Sequence, residues 1–102
     1  MNLDQTLVNQ IIEIVKRRKK VSKLLLFGSR ATNNAKRTSD IDLAVLGKDL
    51  PDGEVNLIRN DLEEEVKTPL KFDVVHFDAL TKESLKKDIL KEGIVIYESK
   101  TH

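Results

Sequence analysis

Two aspartates, Asp40 and Asp42, stand two positions apart in the run SDIDLAVL, shortly after an apolar run LLLF that ends in Gly28, Ser29 and Arg30. Side chains two apart on a strand leave the same face about 6–7 Å from one another. The alternation therefore gives Asp40 and Asp42 one face of a strand, while Ile41, Leu43 and Val45 take the other. Two unpaired carboxylates at that spacing repel by roughly 2 kcal/mol at an effective dielectric of about 20, and a cation between them reverses the sign. All-oxygen ligation of this kind suits Mg²⁺ or Mn²⁺ and not zinc.

The other end of the unit offers anion chemistry. Gly28 leaves room for a ligand to approach the backbone, Ser29 supplies a hydroxyl beside amide groups that open a short helical turn, and Arg30 can add a forked set of donors for phosphate oxygens. A phosphate cradle and a divalent-metal clamp on neighbouring strands are what a nucleoside triphosphate and its magnesium require. Alone, a Gly-Ser after a strand is a turn and a lone DxD is a solvated strand edge. The two together, each attached to its own apolar strand, point to a nucleotide site.

Phe27, Gly28 and Ser29, ten intervening residues, then Asp40, Ile41, Asp42 and Leu43 resemble the GS-x10-DxD signature of the polymerase-β-like nucleotidyltransferase superfamily. The small size and the GSRA opening are similar to the minimal nucleotidyltransferases, or MNT proteins, which pair with HEPN-domain proteins. The resemblance implies an α/β (α+β) fold in which helices pack against a mixed sheet. It also implies a third carboxylate on a strand beside the DxD strand, and Asp73 in KFDVVHF matches it. The implied roles are catalysis and Mg²⁺ (or Mn²⁺) binding by Asp40, Asp42 and Asp73, with nucleotide binding by Gly28, Ser29 and Arg30. Where MNT relatives have an Arg-Gly pair this chain has Thr32 and Asn33, and Asn tolerates the left-handed backbone that such a turn needs. The part of the second arginine falls to Lys36 or Arg37, or both simply face solvent.

The remaining elements must position this unit. Residues 3–18 read as an amphipathic helix with Leu3, Leu7, Val8, Ile11, Ile12 and Val15 on one stripe and Asn2 available as its cap. The basic cluster at 16–20 complements the carbonyl end of that helix, or contacts an acidic partner or an RNA. Residues 54–67 predict a helix that buries Val55, Ile58, Leu62 and Val66, with the acidic run at 61–65 as its wet face, opposite in sign to the basic cluster. A strand over 71–77 follows, with Asp73 in a hydrophobic setting that is costly unless the carboxylate is paired or metal-bound. His76 falls on the opposite face from Asp73 and reads as structural or surface. Asp78 or Thr81 can cap a last helix, with Leu85, Ile89 and Leu90 inward and Gly93 ending it in the left-handed conformation. A final strand spans 94–97 and the polar ESKTH tail is expected to fray.

With 102 residues the chain reads as a single domain, long enough for a modest core but not for a dedicated second substrate domain. A formal net charge of +1 predicts no strong general affinity for nucleic acid or membrane. The chain has no cysteine, which excludes disulfides, thiol catalysis and cysteine zinc sites. It has no apolar run of membrane length and no signal-peptide pattern, so a cytoplasmic location is expected. Nothing is left to build an acceptor pocket, so a partner must supply the acceptor. By resemblance the donor is ATP, or another nucleoside triphosphate, and the partner is a HEPN-domain protein in a hetero-oligomer. This chain would then be the antitoxin, adenylylating a side-chain hydroxyl. The alternative is a nucleotide-binding regulatory subunit that inhibits by contact and transfers nothing.

Overall fold

Alternating apolar residues need two covering layers when a strand is buried on both sides, and the central strands of this chain are built that way. The computed structural model describes residues 1–100. The order of elements is α1 (Gln5–Val15), β1 (Lys23–Phe27), a 3₁₀ turn (Gly28–Arg30), β2 (Ile41–Leu46), α2 (Asp52–Glu65), β3 (Phe72–His76), a second 3₁₀ turn (Phe77–Ala79), α3 (Glu83–Glu92) and β4 (Ile94–Glu98). The four strands form one mixed sheet in the order β3-β2-β1-β4. β1 is antiparallel to both β2 and β4, and β2 is parallel to β3 across the helix that joins them.

One face of the sheet carries the main core. Ile41, Leu43 and Val45 of β2 join Leu24 and Leu26 of β1 and Phe72 and Val74 of β3, packed against Ile11, Ile14 and Val15 of α1 and Val55, Ile58 and Leu62 of α2. The other face is thinner: Leu25, Ala44, Phe77 and Ile89 make a smaller buried cluster, edged by Phe27, Leu46, Val75, Leu80 and Leu85. Asp42 and Asp73 share strand parity with Ala44 and Val75, which sets both carboxylates at the end of the thinner face.

Several expected details move. α1 starts at Gln5 with Asp4, not Asn2, as its cap, Asp4 Oδ1 accepting from the Thr6 N–H at 3.2 Å. Ile14 takes the buried place given to Ile12, which stays partly exposed. Leu90 is 60% exposed while its neighbour Ile89 is fully buried, so α3 is rotated from the expected face. Asp78 does not cap α3. Its Oδ2 accepts from the Gly47 N–H at 2.8 Å, clipping the turn after β3 to the end of β2. Gly93 ends α3 in an extended conformation (φ −68°, ψ 146°), not a left-handed one, and there a Cβ would run into the Ile89 carbonyl. In the tail, Glu98 belongs to β4 and the Ser99 N–H donates to Ser22 O at 2.8 Å, whereas Thr101 and His102, also expected to fray, lie outside the described residues.

The basic and acidic runs meet within the fold. Arg17 donates two hydrogen bonds to Glu65, at 2.9 and 3.0 Å, and Arg18 reaches Asp61 at 3.1 Å. The Arg17 guanidinium thereby pulls the Glu65 carboxyl below its ordinary range. His76 also finds a structural place: Nδ1 lies 2.5 Å from Asp52 Oδ1 at the start of α2, and Nε2 is buried with no hydrogen-bond partner among the described residues. Among the described residues no helix is long and apolar enough to cross a membrane.

The rotation of α3 gives the first prediction. Ile89→Ala should cost about 2–4 kcal/mol in urea unfolding, while Leu90→Ala, one residue on, should stay within about 0.5 kcal/mol of the parent. Equal losses at both positions would contradict the packing of this layer.

Candidate active site

Strand register assembles the site. Phe27 pairs with Asp42 across the antiparallel β1–β2 ladder, and Asp42 pairs with Asp73 across the parallel β2–β3 ladder. One row of the sheet thus runs from the residue before Gly28, through Asp42, to Asp73. Gly28 itself has φ +72°, the left-handed region, and a Cβ there would collide with Asp42 Oδ2. Glycine is required at this corner twice over, by backbone conformation and by the approach of the carboxylate. Ser29 is half-buried beside it, its hydroxyl without a hydrogen-bond partner among the described residues.

The electrostatics single out Asp42. Its carboxyl is pushed from the ordinary 3.8 up to about 6, first by burial, then by the charges of Asp73 and Asp40 and a hydrogen bond shared with Asp73, with Arg30 pulling weakly the other way. Burial and two like charges penalise the anion. This crowding of hard oxygen donors fits a divalent cation, which Mg²⁺ commonly takes from one or two carboxylates with the rest supplied by substrate phosphates and water. Asp42 and Asp73 would hold such an ion. Asp40 departs from expectation: it precedes β2 instead of lying on it, and it is exposed. Among the described residues no three acidic or histidine side chains close into a metal cage. Asp40 reaches Asp42 through its charge.

Arg30 is the main revision. Expected to offer its fork to phosphate, its side chain is instead buried and spent on backbone carbonyls. Nε and Nη2 donate to Ser39 O at 3.1 and 2.7 Å, Nη1 donates to Asn2 O at 2.7 Å, and Nη2 also approaches the carbonyls of Lys36 and Arg37 at 3.5 and 3.4 Å. Sequence gave no warning of this, because the acceptors are main-chain atoms. Arg30 therefore ties both ends of the 30–39 connection together and delivers Asp40 and Asp42 to their places. Within that connection Asn33 adopts φ +62°, the left-handed turn for which asparagine was suited. Arg37, one of the two candidates for the part of the second arginine, and Lys71, to which no chemistry was assigned, line a cleft of about 750 Å³ with Thr38, Asp40, Pro69 and Leu70.

The family "Polymerase beta, Nucleotidyltransferase" matches residues 9–102. The chain belongs to this nucleotidyltransferase family. Solved structures share the fold of this nucleotidyltransferase. A chain of a toxin–antitoxin complex with AMP-PNP superposes with a TM-score of 0.75 at 24% identity, covering 91% of this chain and 74% of that one. A chain of the MntA–HepT toxin–antitoxin complex gives 0.71 at 22% identity over 94% and 74%. A third, from the tri-AMPylated Shewanella oneidensis HEPN toxin in complex with its MNT antitoxin, gives 0.71 at 22% over 95% and 74%. No curated protein matches the sequence.

Two predictions follow from this geometry. With its folded value raised above its unfolded one, the contribution of Asp42 to stability is greatest below about pH 4 and is lost as pH rises through about 6. Asp42→Asn should therefore be more stable than the parent at pH 8, by about 1 kcal/mol once solvent screening of a half-exposed group is allowed for, and the gain should vanish near pH 4. Parallel urea titrations across that range check it, and a pH-independent difference would contradict it. Arg30→Lys should lower stability by about 1–3 kcal/mol, since an ammonium cannot serve these divergent carbonyls. Thermal melts read the loss.

Proposed function

We propose that this chain transfers a nucleoside monophosphate, AMP from ATP by its likeness to the AMP-PNP complex, to a hydroxyl of a HEPN-domain partner, and so acts as an antitoxin. One observation carries the reading: Asp42 stands between the glycine-serine corner and Asp73, so a triphosphate gripped at that corner has its α-phosphate beside paired carboxylates. The family membership and the likeness to toxin–antitoxin chains support it.

In this reading Gly28 and Ser29 grip the β- and γ-phosphates, with the bare glycine backbone allowing close approach. Asp42 and Asp73 hold Mg²⁺, or Mn²⁺, and Asp40 adds negative charge at the same end. When bound, the ion stabilises charge on the departing pyrophosphate and makes the attacking hydroxyl more acidic. The hydroxyl oxygen attacks the α-phosphorus, a new O–P bond forms, the bond to the bridging oxygen breaks and pyrophosphate leaves. The hydroxyl proton passes to Asp73, a carboxylate beside that oxygen and fit to act as general base. Arg30 contacts no substrate and holds the connection in shape.

Incubating the chain with ATP labelled at the α-phosphate, Mg²⁺ and its genomic neighbour should place label on that neighbour. Asp42→Asn should reduce labelling by at least about a hundredfold, the scale expected when a group acting in the transition state is lost. A tight complex that never becomes labelled would favour the regulatory subunit that inhibits by contact.

A further inference from the structure

An in-line displacement has the attacking and leaving oxygens on opposite sides of the phosphorus. That geometry, resting on the transfer reading above, gives the sheet a direction. Gly28 and Ser29 follow β1, Asp42 lies in the middle on β2, and Asp73 lies beyond it on β3. Pyrophosphate leaves toward the β1 side, so the acceptor must come from the β3 side. There the structure has the cleft of about 750 Å³ formed by Arg37, Thr38 and Asp40 on one wall and Pro69, Leu70 and Lys71 on the other.

The two walls are joined by backbone. The Ile41 N–H donates to Lys71 O at 2.8 Å, which fixes the segment before β3 against the start of β2. On the opposite wall the carbonyls of Lys36, Arg37 and Ser39 are tied to the buried Arg30 guanidinium, so the backbone that presents Arg37 is held from behind. Both cations are exposed and sit in the cleft with a single carboxylate, Asp40, already committed to the charge cluster around Asp42. Pro69 and Leu70 make the wall beside Lys71 apolar.

We infer that this cleft is the acceptor's docking site, and that Arg37 and Lys71 select a peptide segment whose hydroxyl is flanked by acidic residues. Two cations on a fixed frame attract carboxylates, and such complementarity sets specificity. A nucleic-acid end fits less well: no aromatic side chain lines the cleft for base stacking, and the chain as a whole carries only +1.

Fluorescence anisotropy decides it, using a labelled peptide with a central serine flanked by glutamates, its lysine-flanked counterpart and a short single-stranded RNA, each with and without Mg²⁺ and AMP-PNP. The glutamate-flanked peptide should bind at least about tenfold more tightly than the other two. The double variant Arg37→Gln, Lys71→Gln should bring the two peptides within about twofold of each other, while its thermal midpoint and its AMP-PNP affinity stay at parent values. Lys48→Gln, beyond the opposite end of β2, should keep the full preference. Equal binding of the peptides, a preference that survives the double variant, or tighter RNA binding that the double variant abolishes would each overturn the inference. If the parent does not bind AMP-PNP with Mg²⁺, the transfer reading fails instead, and the peptide preference measured without nucleotide still decides the cleft.

Discussion

Asp42 and Asp73 are register partners on parallel strands, so their like charges face each other at a spacing dictated by backbone hydrogen bonds and not by the carboxylates. Left to themselves the two groups would separate. They cannot, because the flanking residues of both strands, Ile41 and Leu43 on one and Phe72 and Val74 on the other, are sealed into the main core. Burial of those four side chains, each contributing on the order of 2 kcal/mol, outweighs the repulsion at the strand ends. The apolar face thus holds the two acids together, and burial first, then the neighbouring charges of Asp73 and Asp40, push the Asp42 carboxyl up.

A second constraint acts on the connection between β1 and β2. An ordinary hairpin would join these strands in a few residues, whereas ten separate Ser29 from Asp40. Such a segment has backbone groups to satisfy and no partner strand. The buried guanidinium supplies donors to several of its carbonyls at once, which a planar fork can do and a point charge cannot. The cost of burying the cation is offset by these bonds, and the neighbouring acids add favourable potential. The shape of the corner after Gly28 thereby rests on an arginine whose donors go to main-chain carbonyls.

Much of this was legible in the residues. Alternation placed Ile41, Leu43 and Val45 on the buried face, whereas the aspartate inside KFDVVHF, read as a costly intrusion in an apolar strand, is exposed, because the thinner face leaves that end of β3 uncovered. The parallel pairing that sets Asp73 beside Asp42 was reachable only through the resemblance, since register between distant strands leaves no local trace. Helix caps and faces were less readable. Asn2 and Asp4 are both good cap residues two positions apart, and Ile12 and Ile14 both suit an apolar stripe, so small shifts in helix start decide between them. Asp78 looked like a cap because sequence offers no view of the Gly47 amide it satisfies instead. Arg30 was misread for the same reason.

The unequal thickness of the two faces has a mechanical consequence. α3 is anchored by Ile89, with Leu85 at the margin, while the opposite side is cemented by two helices. Local opening follows the weaker burial, so the molecule breathes on the side toward which Asp42 and Asp73 point. The rigid wall keeps the acids in register, and the looser one leaves slack beside them.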